Sequence, residues 1–79
     1  MDKMGIRTEN IKIKTEYIKL DQLLKWAGIA GTGTEAKYLI YEGLVKVNNQ
    51  TVLQRGKKIF PGDEIIIQLE DEIRLIVEK

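Results

Sequence analysis

The sequence predicts an α+β fold, in which two packed helices form a helix-turn-helix-like corner against a small antiparallel sheet. Two observations support this prediction. Apolar and polar residues alternate in segments 11–18, 44–52, 65–69 and 73–77, which is the period-two pattern of half-buried strands. Residues 20–43 instead repeat apolar residues at intervals of three and four, which is typical of amphipathic helices. The predicted element order is therefore β-α-α-β-β-β.

The helical segment divides in two at a glycine-rich turn. The apolar stripe of the first helix consists of Leu20, Leu23, Leu24 and Ala27. Gly28 can supply the positive φ that ends this helix. Thr32 and Glu35 have the spacing of a capping box that starts the second helix. The second stripe consists of Ala36, Leu39, Ile40 and Gly43, and Gly43 is also predicted to end this helix. Because the connection is so short, the two helices are expected to pack at an angle.

A short hairpin follows the helices. Val45 and Val47 are expected to face the core and Lys46 the solvent, as strand alternation requires. Residues 48–50, Asn-Asn-Gln, tolerate the left-handed conformations of a tight hairpin turn. Residues 61–63, Pro-Gly-Asp, form a second turn signal before the last two strands.

The composition describes a small soluble domain. The 79 residues are expected to form a single domain over 1–79, with a hydrophobic share of 43% and a charged share of 32%. Cysteine and histidine are absent, which excludes disulfides, thiolate nucleophiles, imidazole bases and the usual zinc ligands. No apolar run reaches the roughly 18–20 residues that cross a bilayer. We expect a cytoplasmic protein with no membrane partner.

Two acidic clusters and one glycine-rich loop are the segments to test for catalysis or nucleotide binding. Asp63-Glu64 and residues 70–72 lie at predicted turns, where solvated charges that protect sheet edges are favoured over a general acid–base pair or a magnesium site. The loop at 28–33 lacks the Gly-Lys-Ser/Thr ending and follows a helix, so a phosphate loop is not favoured. We therefore predict no catalytic residues, no metal site and no cofactor.

The net charge of +1 is unevenly distributed. Residues 1–36 sum to +1, residues 37–58 to +4 and residues 59–79 to −4. Since charges act over about one Debye length, roughly 8 Å in cells, the local surplus matters more to a partner than the sum. The middle third is the candidate contact surface.

The second helix offers cations and aromatic rings. Lys37 and Tyr41 are expected to share an exposed flank, with Tyr38 on another. A lysine beside a tyrosine combines a phosphate contact with a stacking surface, as RNA sites do. The alternative, in which the tyrosines pack on the sheet and Lys37 is merely solvated, stays open. The free amides at the start of this helix, beside Gly33, also favour an anion.

Arg55, Lys57 and Lys58 surround Gly56 and form the densest basic segment, which we call the basic bend (residues 55–58). As a composition alone it fits a solvated loop better than a site. Its position after the hairpin, however, allows it to return near the second helix. For Trp26 a partly buried wedge is favoured over a base-stacking surface.

The segment 19–65 also carries an ordered set of motif residues. These are Lys19-Leu20-Asp21, Leu24, Gly28, Thr34, Ala36, Leu39-Ile40, Gly43, Val45-Lys46-Val47-Asn48 and Gly62-Asp63-Glu64-Ile65. This pattern resembles the S4 RNA-binding domain, and most of all the short, stand-alone bacterial S4 proteins of the YaaA and YbcJ type. The resemblance implies an S4-type (alpha-L) fold, with flanking strands at about 11–18 and 73–77.

The resemblance implies a non-catalytic RNA-binding protein that recognises structured ribosomal or transfer RNA in ribosome assembly or translation. The contact surface is expected on the second helix and the following hairpin and loop. The candidate RNA-binding residues are Lys25, Gly33, Thr34, Lys37, Tyr41, Lys46, Asn48, Arg55, Lys57 and Lys58. We expect a monomer, with a ribosome-associated protein as a further partner. The alternative is a protein-interaction adaptor that uses the sheet or the acidic residues 63–79.

Three positions depart from the family pattern. Gly33 stands where many members have an arginine, Asn49 replaces the glycine of an Asn-Gly turn, and Arg55 stands where the loop often has proline. One basic contact is lost and the basic bend is gained. We therefore expect the contact surface to shift toward the bend, with Lys37, Lys46 and the bend forming one positive face.

Overall fold

In the computed structural model, which describes residues 5–79, the described chain forms two helices and seven strands. The helices are α1 (Leu20–Trp26) and α2 (Gly33–Tyr41). The strands are β1 (Ile6–Lys12), β2 (Ile18–Lys19), β3 (Val45–Val47), β4 (Gln50–Thr51), β5 (Lys58–Ile59), β6 (Glu64–Gln68) and β7 (Glu72–Glu78). Five strands form a sheet in the order β1-β7-β6-β3-β4, and β2 pairs separately with β5. The predicted α+β class and helix pair are confirmed.

The two helices end in the same way. Gly28 follows α1 with a φ of +77°, and Gly43 follows α2 with a φ of +78°. Beyond α1, the Ile29 amide donates to the Leu24 carbonyl at 2.9 Å, and the equivalent bond closes α2 at 3.2 Å. This arrangement is a Schellman motif, which satisfies carbonyls that a helix end leaves unpaired. Both predicted glycine stops are therefore confirmed.

The core lies between the helix pair and one face of the five-stranded sheet. Its largest fully buried side chains are Leu20, Leu23, Leu24, Ile40, Val45, Ile59, Ile65, Ile67, Leu75 and Val77. Burying each such side chain contributes about 1.5–3 kcal/mol relative to leaving it exposed. Because strand side chains alternate between faces, the intervening residues of β3, β6 and β7 lie on the side away from the helices. We call that side the outer face; it carries Lys46, Glu64, Ile66, Glu72 and Arg74.

The first strand differs from its predicted bounds of 11–18. β1 ends at Lys12, the chain bends at residues 14–16, and only Ile18 and Lys19 are again extended. Most of β1 is exposed, so its sequence lacks the apolar alternation that marks a half-buried strand. The alternation at Ile11 and Ile13 comes instead from two side chains that reach the core.

The sheet is mixed rather than purely antiparallel. β1 runs parallel to β7, with Ile6 opposite Glu72 and Lys12 opposite Glu78, whereas the other neighbours in the sheet are antiparallel. Alternation reveals which residues face the core, but it indicates neither the partner of a strand nor its direction. The predicted last strand, 73–77, lies within β7.

The predicted hairpin turn between β3 and β4 is also confirmed. Asn48 and Asn49 both have positive φ values, 51° and 71°. Two consecutive residues with positive φ are the signature of the turn that matches the twist of a two-residue hairpin. Asparagine tolerates this conformation, so the turn forms without the glycine that commonly occupies its second position.

Candidate nucleic-acid interface

The basic bend is held against the start of α1 by backbone hydrogen bonds. The Leu20 amide donates to the Lys57 carbonyl at 2.9 Å, and the Asp21 amide donates to the Arg55 carbonyl at 3.1 Å. These amides belong to the first turn of α1, where a helix has no acceptor of its own for them. The bend therefore serves as the N-terminal cap of α1, and its position is set by the backbone. Its side chains are left for other contacts.

Arg55 is the exception, because its guanidinium pairs with Asp21. Arg55 Nη1 lies 3.5 Å from Asp21 Oδ2, and the Asp21 side chain is only 11% exposed. The other oxygen, Oδ1, is buried and has no hydrogen-bond partner among the described residues. The carboxylate therefore depends on Arg55 for its compensation. Arg55 remains half exposed, but its charge is partly offset within the fold.

Lys57 and Lys58 are exposed and form no ion pair with another described residue. Lys58 Nζ lies 4.9 Å from the centre of the Tyr17 ring, a cation–π contact that leaves the ammonium accessible. Lys58 also lies directly opposite Lys19 in the β2–β5 ladder. Lys19 and Tyr17 are not among the candidate residues predicted from the sequence, because this pairing joins segments about forty residues apart in the chain.

The start of α2 is less open to an anion than the sequence suggested. Thr32 Oγ1 accepts from the Glu35 amide at 3.1 Å, which confirms Thr32 as the N-cap, although Glu35 does not bond the Thr32 amide as a capping box requires. The Glu35 carboxylate accepts from the Gly31 amide at 2.7 Å, so a negative charge already lies at this helix end. Gly33 has no atom within 4 Å of the position that a Cβ would take, and Thr34 is exposed. The start of α2 is therefore accessible to an anion, but the amides of Gly31 and Glu35 already have hydrogen-bond acceptors.

The flanks of α2 that carry Lys37, Tyr38 and Tyr41 are exposed to solvent. Lys37 is exposed and has no ion pair with a described residue. The exposed fractions of Tyr38 and Tyr41 are 61% and 55%. The part of the alternative in which the tyrosines pack against the sheet is therefore wrong, while a phosphate contact by Lys37 stays a prediction. Lys37 and Tyr41 on one flank, with Tyr38 on the neighbouring one, give an exposed surface that can stack bases and contact phosphate.

Lys46 lies on the other side of the sheet. Its neighbours on β3, Val45 and Val47, are buried in the core beneath the helices, so Lys46 points to the outer face. Its partner across the β3–β6 ladder is Ile66, which in turn lies opposite Arg74. Lys46 therefore does not share a face with Lys37, and the expectation of one positive face that includes both is not met.

The outer face is already neutralised around Arg74. Arg74 Nε lies 2.8 Å from Glu72 Oε2, and Arg74 Nη1 lies 4.0 Å from Glu64 Oε2. The hydrogen bond to Glu72 and its negative charge raise the pKa of Arg74 further above its ordinary value. These acidic residues belong to the negative last third of the chain, so they lower the positive potential near Lys46.

Asn48 is occupied within the fold. Its Nδ2 donates to Asp63 Oδ1 at 3.1 Å, and its Oδ1 accepts from the Glu64 amide at 3.0 Å. Asp63 Oδ2 accepts in turn from the Phe60 amide at 2.9 Å. The asparagine of one motif and the Gly-Asp of another thus form a single hydrogen-bonded junction. We conclude that the Asn48 side chain has a structural role.

Lys25 and Trp26 end α1, and both are exposed. The exposed fraction of Trp26 is 69%, so the interpretation of Trp26 as a partly buried wedge is wrong. A lysine in the last turn also complements the negative end of the helix dipole. The candidates Lys25, Lys37 and Tyr41 thus lie on the two helices and the basic bend lies at the start of α1, whereas Lys46 and Asn48 lie on β3 and its turn.

Among residues 5–79 no group of three or more acidic side chains is placed to hold a metal ion. Within the same part of the chain no helix is long and apolar enough to span a membrane.

Comparison with known proteins finds a similar curated relative and several similar solved structures. The chain is 40% identical over 58 residues to a probable ribosome maturation protein, RlbA, of Bacillus subtilis (strain 168), covering 73% of this chain and 82% of that protein. It superposes with a TM-score of 0.72 on a trimeric structure of heat shock protein 15 from Vibrio cholerae, with 29% identity. That match covers 81% of this chain, which spans 65% of the Vibrio chain.

A protein-family model described as the S4 domain matches residues 11–76, which is most of the chain. The match includes both helices, the basic bend and strands β2 to β6. It agrees with the motif resemblance over 19–65 and extends it on both sides. The chain belongs to the S4 domain family.

Proposed function

We propose that this protein is a non-catalytic RNA-binding protein that acts on structured ribosomal or transfer RNA in ribosome assembly or translation. Its contact surface combines the basic bend with Lys19 and the exposed flank of α2. Membership of the S4 domain family and the 40% identity to a probable ribosome maturation protein support this proposal.

The observation that carries the proposal is the way in which the bend is fixed. Backbone bonds from Leu20 and Asp21 hold it on α1, so Lys57 and Lys58 are positioned without forming ion pairs with other described residues. Because the backbone that carries these lysines is fixed in advance, less conformational entropy is lost when they contact phosphate. Because A-form major grooves are too narrow to be read by side chains, selectivity comes from RNA shape and unpaired bases.

The salt dependence of RNA binding tests the proposal. An RNA stem-loop is titrated by fluorescence anisotropy at several salt concentrations. If about four phosphates are neutralised, log affinity falls with log salt at a slope of roughly −3. The Lys57→Ala, Lys58→Ala double variant is expected to flatten the slope by about one to two. Arg55 is left intact in this test because it pairs with Asp21.

The matched control is the Arg7→Gln, Thr8→Glu double variant, which changes the net charge by the same amount at exposed positions of β1. It is expected to leave the slope within error of the parent protein. An unchanged slope in the bend variant would remove the bend from the contact surface. Binding of protein partners through residues 63–79, with little salt dependence, would instead support the adaptor function. Crosslinking in cells, followed by sequencing of the bound RNA, identifies the target.

A further inference from the structure

A groove outside the surface described above contains three lysines and the exposed tryptophan. It has a volume of about 550 Å³ and lies between the end of β1, the end of β7 and the last turn of α1. Lys12, Lys14, Lys79 and Trp26 line it, with Ile13 and Ile18 also in its wall. Its cations come from outside the basic middle third of the chain, which explains why the charge distribution along the sequence did not indicate it.

The groove is held in place by the sheet and the core. The Ile13 amide donates to the Glu78 carbonyl at 2.9 Å, which extends the β1–β7 ladder by one residue. Ile13 is buried, while Lys12 and Lys14 on either side of it are exposed. The backbone at the two lysines is therefore fixed by a buried anchor between them. Trp26 closes α1, whose leucines are fully buried, so the indole projects from a rigid element.

The charge in the groove is positive. None of its three lysines forms an ion pair with a described acidic residue. Glu78 lies opposite Lys12 in the ladder and offsets part of this charge, but its carboxylate is hydrogen-bonded to the Asn10 side chain and Glu78 does not line the groove. Glu16 lies on the adjoining surface beyond Thr15 and does not line the groove. An occupant of this groove is therefore expected to be anionic.

The exposed Trp26 ring indicates which kind of anion fits the groove. Trp26 exposes 69% of its surface, and an indole left in water beside cations offers a stacking face to a flat partner. Sites for single-stranded nucleic acid combine an aromatic ring for a base with cations that follow the phosphates. An acidic peptide would use the lysines but would leave the ring without a planar partner.

The groove also adjoins the basic bend. Ile18 lines the groove, and the next residue, Lys19, lies opposite Lys58 in the β2–β5 ladder. A strand that leaves a duplex at the bend can therefore continue across β2 toward Trp26. We propose that this groove binds an unpaired RNA segment, with one base stacked on Trp26 and neighbouring phosphates on Lys12, Lys14 and Lys79. The inference rests on the proposed RNA-binding function and extends it to a second contact.

Intrinsic fluorescence tests the inference directly, because Trp26 is the single tryptophan of the chain. Two RNAs are titrated: a blunt stem-loop, and the same stem-loop with a single-stranded tail of six adenosines. We expect the tailed RNA to quench the emission of Trp26 and to bind more tightly than the blunt RNA. The blunt RNA is expected to bind without quenching. The Trp26→Ala variant is expected to lose about fivefold to a hundredfold in affinity for the tailed RNA only. The Trp26→Phe variant is expected to recover part of this loss.

A second variant keeps the reporter in place. The Lys12→Gln, Lys14→Gln protein retains Trp26, and its affinity for the tailed RNA is expected to fall several-fold. The charge-matched Arg7→Gln, Thr8→Glu control is expected to keep the affinity of the parent protein. Circular dichroism checks the fold of each variant.

The outcomes separate the two proposals. Equal binding of both RNAs without quenching, still dependent on Lys57 and Lys58, would overturn the groove and leave the proposed function standing. Equal quenching by hexaglutamate would also overturn it, because the occupant would then be an acidic peptide. Binding of neither RNA would overturn the proposed function and the inference together.

Discussion

The basic bend and the outer face of the sheet both carry cations, but Arg74 on the outer face is ion-paired, whereas Lys57 and Lys58 in the bend are not paired with a described residue. On the outer face, Arg74 is paired with Glu72 and lies near Glu64. In the bend, backbone hydrogen bonds to α1 fix the position, and Lys57 and Lys58 are not needed as partners. The comparison shows that a charged segment is available to a ligand when the backbone, rather than its side chains, anchors it.

The largest effect is expected where the bend does use a side chain. Arg55→Ala leaves the Asp21 carboxylate, whose residue is only 8% exposed, without its partner. Because Arg55 itself is half exposed, we expect the free energy of unfolding to fall by about 1–2 kcal/mol, less than for a fully buried pair. Urea denaturation measures the change.

A double-mutant cycle provides the control for this prediction. The Asp21→Asn, Arg55→Ala protein removes the charge together with its partner, so it is expected to recover part of the lost stability. If Arg55→Ala alone is as stable as the parent protein, the ion pair does not hold the bend. The backbone hydrogen bonds to α1 alone would then hold the bend in place.

A smaller effect is expected for RNA binding at single lysines. Lys37→Ala is expected to reduce the salt slope of RNA binding by about one, because Lys37 is exposed on the helix side. Lys46→Ala is expected to leave the slope unchanged, since Lys46 lies on the outer face beside acidic residues. Anisotropy titrations of an RNA stem-loop measure both.

Arg74→Ala provides the matched control, because it removes one positive charge from the same face as Lys46. It too is expected to leave the slope unchanged. A slope reduced by Lys46→Ala but not by Arg74→Ala would place RNA on the outer face and reverse the comparison.

The features that the sequence predicted well are those set by neighbouring residues. The stops at Gly28 and Gly43, the Thr32 cap and the Asn48-Asn49 turn each depend on a conformation that the local residue types favour. The motif pattern also predicted the family, since it records the same local requirements in order. These features together were enough for the fold class.

The features that the sequence did not reveal depend on contacts between distant segments. β1 is exposed on most of its length and so has no apolar alternation. The pair of Arg55 with Asp21 joins residues 34 positions apart. The alternation of β3 predicted that Lys46 points away from the core. It did not predict which other charged residues lie on the same face, because strand pairing decides this.

The parallel pairing of β1 with β7 has a consequence for folding. Each residue of β1 lies opposite one 66 positions further along the chain, while the helices and β3 to β6 make shorter-range contacts. Closing so long a loop is slow, and an exposed strand adds little burial in return. We expect β1 to join last and to detach first, so its amide protons should exchange with deuterium long before those of Ile65 and Ile67. Comparable protection at both places in a hydrogen-exchange experiment would instead mean that the whole sheet opens as one unit.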